Sequence, residues 1–139
     1  RKLAAAALDR SAPYLAPTRG DWTARVPLAG GDFAVGDRPR LARELAKRYP
    51  FLDGFTSRRL TRAYGTEAAA VLGPARSRAD LGRAFGAGLS EAEVRWLLAH
   101  EFALTAEDVV WRRSKLGLRM TPDEIAALDD WMKSPEART

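Results

Sequence analysis

Three consecutive stretches, "SEAEVRWLLAHEF" (residues 90–102), "TAEDVVWRRSKLG" (105–117) and "TPDEIAALDDWMK" (121–133), open in the same way. Each begins with Ser or Thr and carries an acid three residues on: Ser90 with Glu93, Thr105 with Asp108, Thr121 with Glu124. A hydroxyl at that place accepts an amide N–H of the first turn while the acid reaches back to the hydroxyl residue's own amide, so the pair marks a helix start. Apolar residues then recur at spacings of three and four. They are Val94, Leu97, Leu98 and then Glu101 or Phe102; Ala106, Val109 and Val110; Ile125, Leu128, Trp131 and Met132. Pro122 suits a first helical position and Gly117 a C-terminal stop. Caps and stripes agree, which predicts three helices.

Working back towards the start, helices continue to dominate. Asp37 is placed to cap a helix with Pro39 in its first turn, running to about Arg48. "FTSRRLTRAY" (55–64) reads as a second helix ending at Gly65, and Thr66 opens a short Ala-rich turn that ends at Gly73–Pro74. "SRADLGRAFGAGL" (77–89), with three glycines, reads as irregular or as one or two helical turns. Residues 2–15 have Leu3, Ala4, Ala7, Leu8, Ser11 and Leu15 on one side, with Pro13 closing the helix. Residues 16–36 differ: Pro17, Gly20, Pro27, Gly30, Gly31 and Gly36 forbid a regular helix. Trp22, Val26, Leu28 and Phe33 are too apolar for a free linker, so an extended strap is expected, anchored by Trp22 and Phe33. The expected architecture is all-α, a domain of about six helices at 37–139. Before it come the connector at 16–36 and, at 1–15, a trailing helix of a preceding domain.

Composition narrows the chemistry. The 139 residues suffice for about one domain, and 46% hydrophobic content supplies a core. No apolar run approaches the roughly 20 residues that span a bilayer. The absence of cysteine excludes disulfides, zinc ribbons and thiol catalysis, and fits a reducing compartment. Net charge is +5, with 18 acids interleaved among 23 bases, which reads as a mixed surface that permits anionic partners.

Catalytic constellations are not apparent. His100, the single histidine, sits mid-helix beside Glu101, with no strained nucleophile turn to serve. One histidine and scattered acids lack metal-ligand spacing. "LAGGDF" and "DLGRAFGAG" miss both the GxxxxGK[ST] and the strand-then-GxGxxG patterns. "LARELAKRYPFLDGFTSRRLTRAYG" (41–65) loosely suggests helix-turn-helix, with Arg58, Arg59 and Arg62 on the second helix. Its "YPFLDG" turn is long and apolar, so no nucleic acid is expected.

The cluster Trp111, Arg112, Arg113 and Lys115 remains. On an α-helix Asp108 and Arg112 are spaced for an ion pair. Arg113 continues the stripe of Ala106, Val109 and Val110, so its stem should be packed and its guanidinium paired, with Glu93 or Glu101 within reach. The structural reading, arginines that orient helices, is favoured over ligand binding. Arg40, Arg43, Lys47, Arg48, Arg58, Arg59 and Arg62 suggest a basic face as the alternative, an interaction module for a membrane surface, a partner subunit or nucleic acid.

The cluster also carries a resemblance. Glu101, Ala103, Thr105, Asp108, Trp111, Arg112, Arg113, Lys115, Leu116, Gly117 and Leu118 match the "E.A.T..D.LWRR(T/S)KLGL" pattern of aerobic, FAD-dependent glycerol-3-phosphate dehydrogenases. "PLAGGDF" (27–33) is similar to that family's "LPGGD" connector, and "RYPFL" (48–52) and "RAYGT" (62–66) to two more of its elements. "RKLAAAALDR" resembles the helix that follows the flavin-domain motif, with Arg1 its final arginine. Ser114, Val110 and Ala29 depart from the commoner Thr, Leu and Pro. The resemblance implies a parent that oxidises sn-glycerol 3-phosphate to dihydroxyacetone phosphate, reduces FAD and passes electrons to membrane quinone. It implies a cytoplasmic location, peripheral at the inner face of the membrane. Catalysis and FAD would belong to a larger N-terminal part. This chain would then hold no catalytic, cofactor or metal residue, and its partner would be that catalytic domain, a homo-oligomer being left open. Glu101, Asp108, Trp111, Arg112, Arg113 and Lys115 are the structural or interface candidates.

Overall fold

The computed structural model describes residues 2–15 and 22–138; Arg1 and the part of the connector with Pro17 and Gly20 lie outside them. Six α-helices follow in order: α1 (Lys2–Ser11), α2 (Arg38–Arg48), α3 (Gly54–Tyr64), α4 (Ala68–Leu72), α5 (Glu91–His100) and α6 (Pro122–Lys133). The one sheet among the described residues is an antiparallel hairpin, β1 (Ala84–Gly86) and β2 (Leu89–Ser90). The fold is all-α with this small ribbon added. The "AFGAGLS" stretch forms the ribbon instead of a helical turn because Gly86, Ala87 and Gly88 all take positive φ and reverse the chain. Phe85 on β1 then faces the core, its ring 5.3 Å from that of Trp131 on α6.

Caps sort the helices. Thr121 and Glu124 make the full reciprocal box at α6, and Asp53 accepts the Thr56 amide at 2.7 Å to start α3. Asp37 makes no such cap; its carboxylate is held by Arg40 at 3.0 Å. Ser90 accepts the Glu93 amide, but the Glu93 carboxylate does not return, so the expected box at α5 is half made. The stripes of α5 and α6 are buried at Val94, Leu97, Leu128, Trp131 and Met132. Phe102 does not extend its stripe: it has φ 55° and is 86% exposed.

The connector from residue 22 to residue 37 contains neither helix nor strand. It is fixed at one close crossing, where the Gly30 carbonyl accepts the Thr66 amide at 3.0 Å. A β-carbon on Gly30 would lie 2.2 Å from the Tyr64 carbonyl oxygen, and one on Gly65 would lie 1.8 Å from that of Gly30. Both glycines have positive φ, so backbone meets backbone where no side chain fits. Phe33 is half-buried beside Gly65, as an anchor should be, whereas Trp22 is 48% exposed and Leu28 86%. The apolar side of α1 is likewise uncovered by the described residues, with Leu3 and Leu8 exposed.

Candidate functional site

Three arrangements of polar side chains result. The first is buried. Arg59 on α3 forks onto Glu93 on α5, with Nη1 donating to Oε1 and Nη2 to Oε2, both at 2.6 Å. Nη2 also donates to the Gly88 carbonyl at 2.8 Å, and the Tyr64 hydroxyl donates to Glu93 Oε1 at 2.8 Å. Glu93 is 1% exposed. Burial works against the charge of Arg59, but the hydrogen bond and charge of Glu93 prevail and hold its pKa above the usual value. Burial, with the adjacent Glu93, pushes the Tyr64 phenol up. The three hydrogen bonds that the carboxylate accepts join α3 to α5, and Arg59 extends the contact to the hairpin at Gly88.

The second arrangement is the 105–118 turn, where five of the six candidate side chains lie. Asp108 Oδ2 accepts from the Leu104 and Thr105 amides and the Thr105 hydroxyl, while the Asp108 amide donates to Thr105 Oγ1. These contacts, led by the Leu104 amide, lower the Asp108 pKa to about 2. The start is as expected, but the body is not an α-helix. Asp108–Arg113 is π-helical, with the Ser114 amide and hydroxyl both donating to the Val109 carbonyl, at 3.0 and 2.6 Å. Such single-turn π segments are rare and shift every later side chain round the axis.

That shift explains what the α-helical reading missed. Arg112 still reaches Asp108 at 2.8 Å, and also Glu107 at 3.1 Å. Arg113 is exposed rather than packed on the stripe, and its Nε donates to the backbone carbonyl of Glu101 at 2.7 Å, not to a carboxylate. Lys115, with φ 60°, ends the turn in place of Gly117. Gly117 has a different use: a β-carbon there would lie 2.6 Å from the Trp111 ring, which rests on it.

The third arrangement is a groove of ≈ 990 Å³ between α2, α3 and the turn. On α2 the spacing 38/39, 42/43, 46 sets Arg38 and Arg43 along one side, and on α3 the spacing 55, 58/59, 62/63 does the same for Arg58, Arg59 and Arg62. Arg113, Lys115 and Arg119 complete the cationic lining, and no acid is among the lining residues. The expected basic face is therefore divided. Arg40 is paired with Asp37 and Glu44, Arg48 lies over the Tyr49 ring, and Arg59 belongs to the buried fork. Sequence reasoning missed Arg38 and Arg119 as members of this lining, and it missed the Arg59–Glu93–Tyr64 fork. The one signal for the fork was an acid, Glu93, on the buried side of α5.

His100 is exposed and its ring lies 4.1 Å from that of Trp96. No group of three His, Asp or Glu among the described residues is placed for a metal. The sheet among the described residues is the antiparallel hairpin, not the parallel sheet at whose carboxyl edge a doubly wound fold seats a dinucleotide. No described helix is long and apolar enough to cross a membrane.

The model of a family described as the C-terminal domain of alpha-glycerophosphate oxidase matches residues 22–133. The chain is 41% identical over 134 residues to a glycerol-3-phosphate dehydrogenase of Pseudomonas aeruginosa, covering 96% of this chain and 26% of that protein. It is 38% identical over 132 residues to the aerobic glycerol-3-phosphate dehydrogenase of Escherichia coli K12, covering 95% and 26%. Over 131 residues it is 38% identical to the D-erythritol 1-phosphate dehydrogenase of Brucella abortus, covering 94% and 26%. The chain thus spans about a quarter of the length of these relatives.

Proposed function

Because the chain belongs to the family of C-terminal domains of alpha-glycerophosphate oxidase, we propose that it is the non-catalytic helical domain of a polyol-phosphate dehydrogenase, packing on and stabilising the catalytic part. Residues 1–15 are then the end of that catalytic part, 16–36 the strap and 37–139 the domain itself. For the parent we propose FAD-dependent, quinone-linked oxidation of glycerol 3-phosphate to dihydroxyacetone phosphate, at the inner face of the cytoplasmic membrane. The names of two relatives support that substrate, and a third acts on a related polyol phosphate. The flavin seat lies outside this chain's residues.

The observation that carries the non-catalytic role is the commitment of Glu93. The buried carboxylate accepts three hydrogen bonds, from Arg59 and Tyr64, and is ion-paired and closed off from solvent, a poor setting for a general base. Its contacts join helices. The test compares the full parent with one lacking residues 16–139, reading flavin absorbance, soluble yield and glycerol 3-phosphate-dependent dye reduction. Flavin should remain with the truncated parent while its soluble yield falls. Flavin binding or turnover by residues 1–139 alone would overturn the reading.

A further inference from the structure

The groove holds more positive charge than the described residues neutralise. Arg38, Arg43, Arg58, Arg62 and Lys115 are exposed and have no hydrogen-bond or ion-pair partner among the described residues. Arg59 Nε is buried without an acceptor. Like charges lining one concavity repel each other and raise its potential, which favours an anionic occupant. The space between the cations is largely apolar: Pro39, Ala42, Ala46, Phe55, Ala63 and Leu116 line it beside Ser57 and Ser114.

Size and polarity select among anions. From Arg38 to Ala46 the α2 wall alone runs about 12 Å at 1.5 Å per residue. A single phosphate, which one or two guanidinium forks satisfy, is too small for it. A phosphodiester backbone has no use for the apolar floor, and a flat layer of lipid headgroups would meet only the rim of a concave surface. A second copy of the chain brings its own net charge of +5. Carboxylates interleaved with apolar side chains on a polypeptide segment match both features.

We propose that the groove is the seat of an acidic, partly apolar segment of the parent's remaining polypeptide. This rests on the reading that such a catalytic part exists, and it names the surface and the charge complementarity by which the domain is held there. Charge-matched seats of this kind set orientation as much as affinity.

Lys115 supplies the test, since it is the one lysine in the lining. A carbodiimide joins a lysine amine to a carboxylate already in contact with it. Full-length parent, mixed from ¹⁴N- and ¹⁵N-labelled protein, is treated and the peptides are read by mass spectrometry. Lys133, paired with Asp129, is the internal positive control. The expected product couples Lys115 to an Asp or Glu of the catalytic part in the same chain. It should vanish in Lys115→Arg, and a triple Arg43→Glu, Arg58→Glu, Arg62→Glu variant should lower its yield about tenfold. Coupling of Lys115 only between labelled and unlabelled chains would make the occupant a second copy and overturn the proposal. Coupling at Lys133 with none at Lys115 would overturn it too, as would protection of Lys115 from acetylation only by anionic vesicles. Glycerol 3-phosphate oxidation is assayed on the same protein before the carbodiimide is added. Turnover without Lys115 coupling removes the seat and leaves the proposed function; coupling without turnover does the reverse.

Discussion

Two arginine–carboxylate pairs in this chain differ in almost everything except chemistry. Arg59 and Glu93 are 34 residues apart, side chains 11% and 1% exposed, joined by two bonds of 2.6 Å. Arg112 and Asp108 are four residues apart, with the arginine 52% exposed to water and the aspartate 18%. A buried ion has lost its water and depends on its partner, so removing one member strands the other. An exposed pair loses little, because water replaces the partner and screening had already weakened it. The first pair should therefore hold the fold together, while the second should trim a local turn.

Glu93→Gln is the sharpest way to break this comparison. It keeps the size of the side chain and leaves the Arg59 guanidinium buried without a counter-charge, so about 3 kcal/mol of stability should be lost. Urea unfolding of the chain followed by tryptophan fluorescence would read it. Adding Arg59→Met should restore most of the loss, since it removes the cation that Glu93→Gln leaves buried without a counter-charge. If the double variant is as unstable as the single, the charge is not what α3 and α5 share.

Tyr64→Phe comes next. It removes one donor from Glu93 and leaves both guanidinium bonds, so a loss of about 2 kcal/mol is expected for a hydrogen bond to a charged group. The same unfolding curves decide. No change would mean that Arg59 alone satisfies the carboxylate, and the fork would then be a pair rather than a triad.

The contrast also explains what the sequence could disclose. Asp108 and Arg112 were legible because helical spacing fixes their meeting without knowledge of the fold. Thr121 with Glu124 was legible for the same reason. The Arg59–Glu93 fork was not, because it depends on how α3 packs against α5, and no local rule connects residues 34 apart. The reading of Ser90 and Glu93 as a capping box was half met because of this competition: Ser90 caps the helix, but the buried guanidinium took the acid that would have completed the box. Arg113 was misplaced because two adjacent β-branched residues, Val109 and Val110, lead into a wide turn closed by Ser114, and only its hydroxyl hinted at that. The groove was half legible, since spacing gives each helix its basic side but not which sides face each other.

The smallest effect is expected at Asp108, and it appears in pH dependence rather than at neutral pH. The folded pKa of about 2 lies below the 3.8 usual for Asp, so the fold prefers the ionised form. The resulting stability is fully present above about pH 4 and is lost as pH falls through 2. Asp108→Asn removes that titration. Its melting temperature should lie below that of the unsubstituted chain at pH 5, and the gap should close towards pH 2; parallel curves would sink the assignment. Arg112→Ala tests what remains. The Leu104 and Thr105 donors support Asp108 ahead of Arg112, so most of the pKa depression should survive that substitution and the curve should hardly move. A large shift would place Arg112 with Arg59 among the residues that hold the fold. A small one would leave Arg112, paired with Asp108 and Glu107 at the surface, as a contributor to the local turn alone.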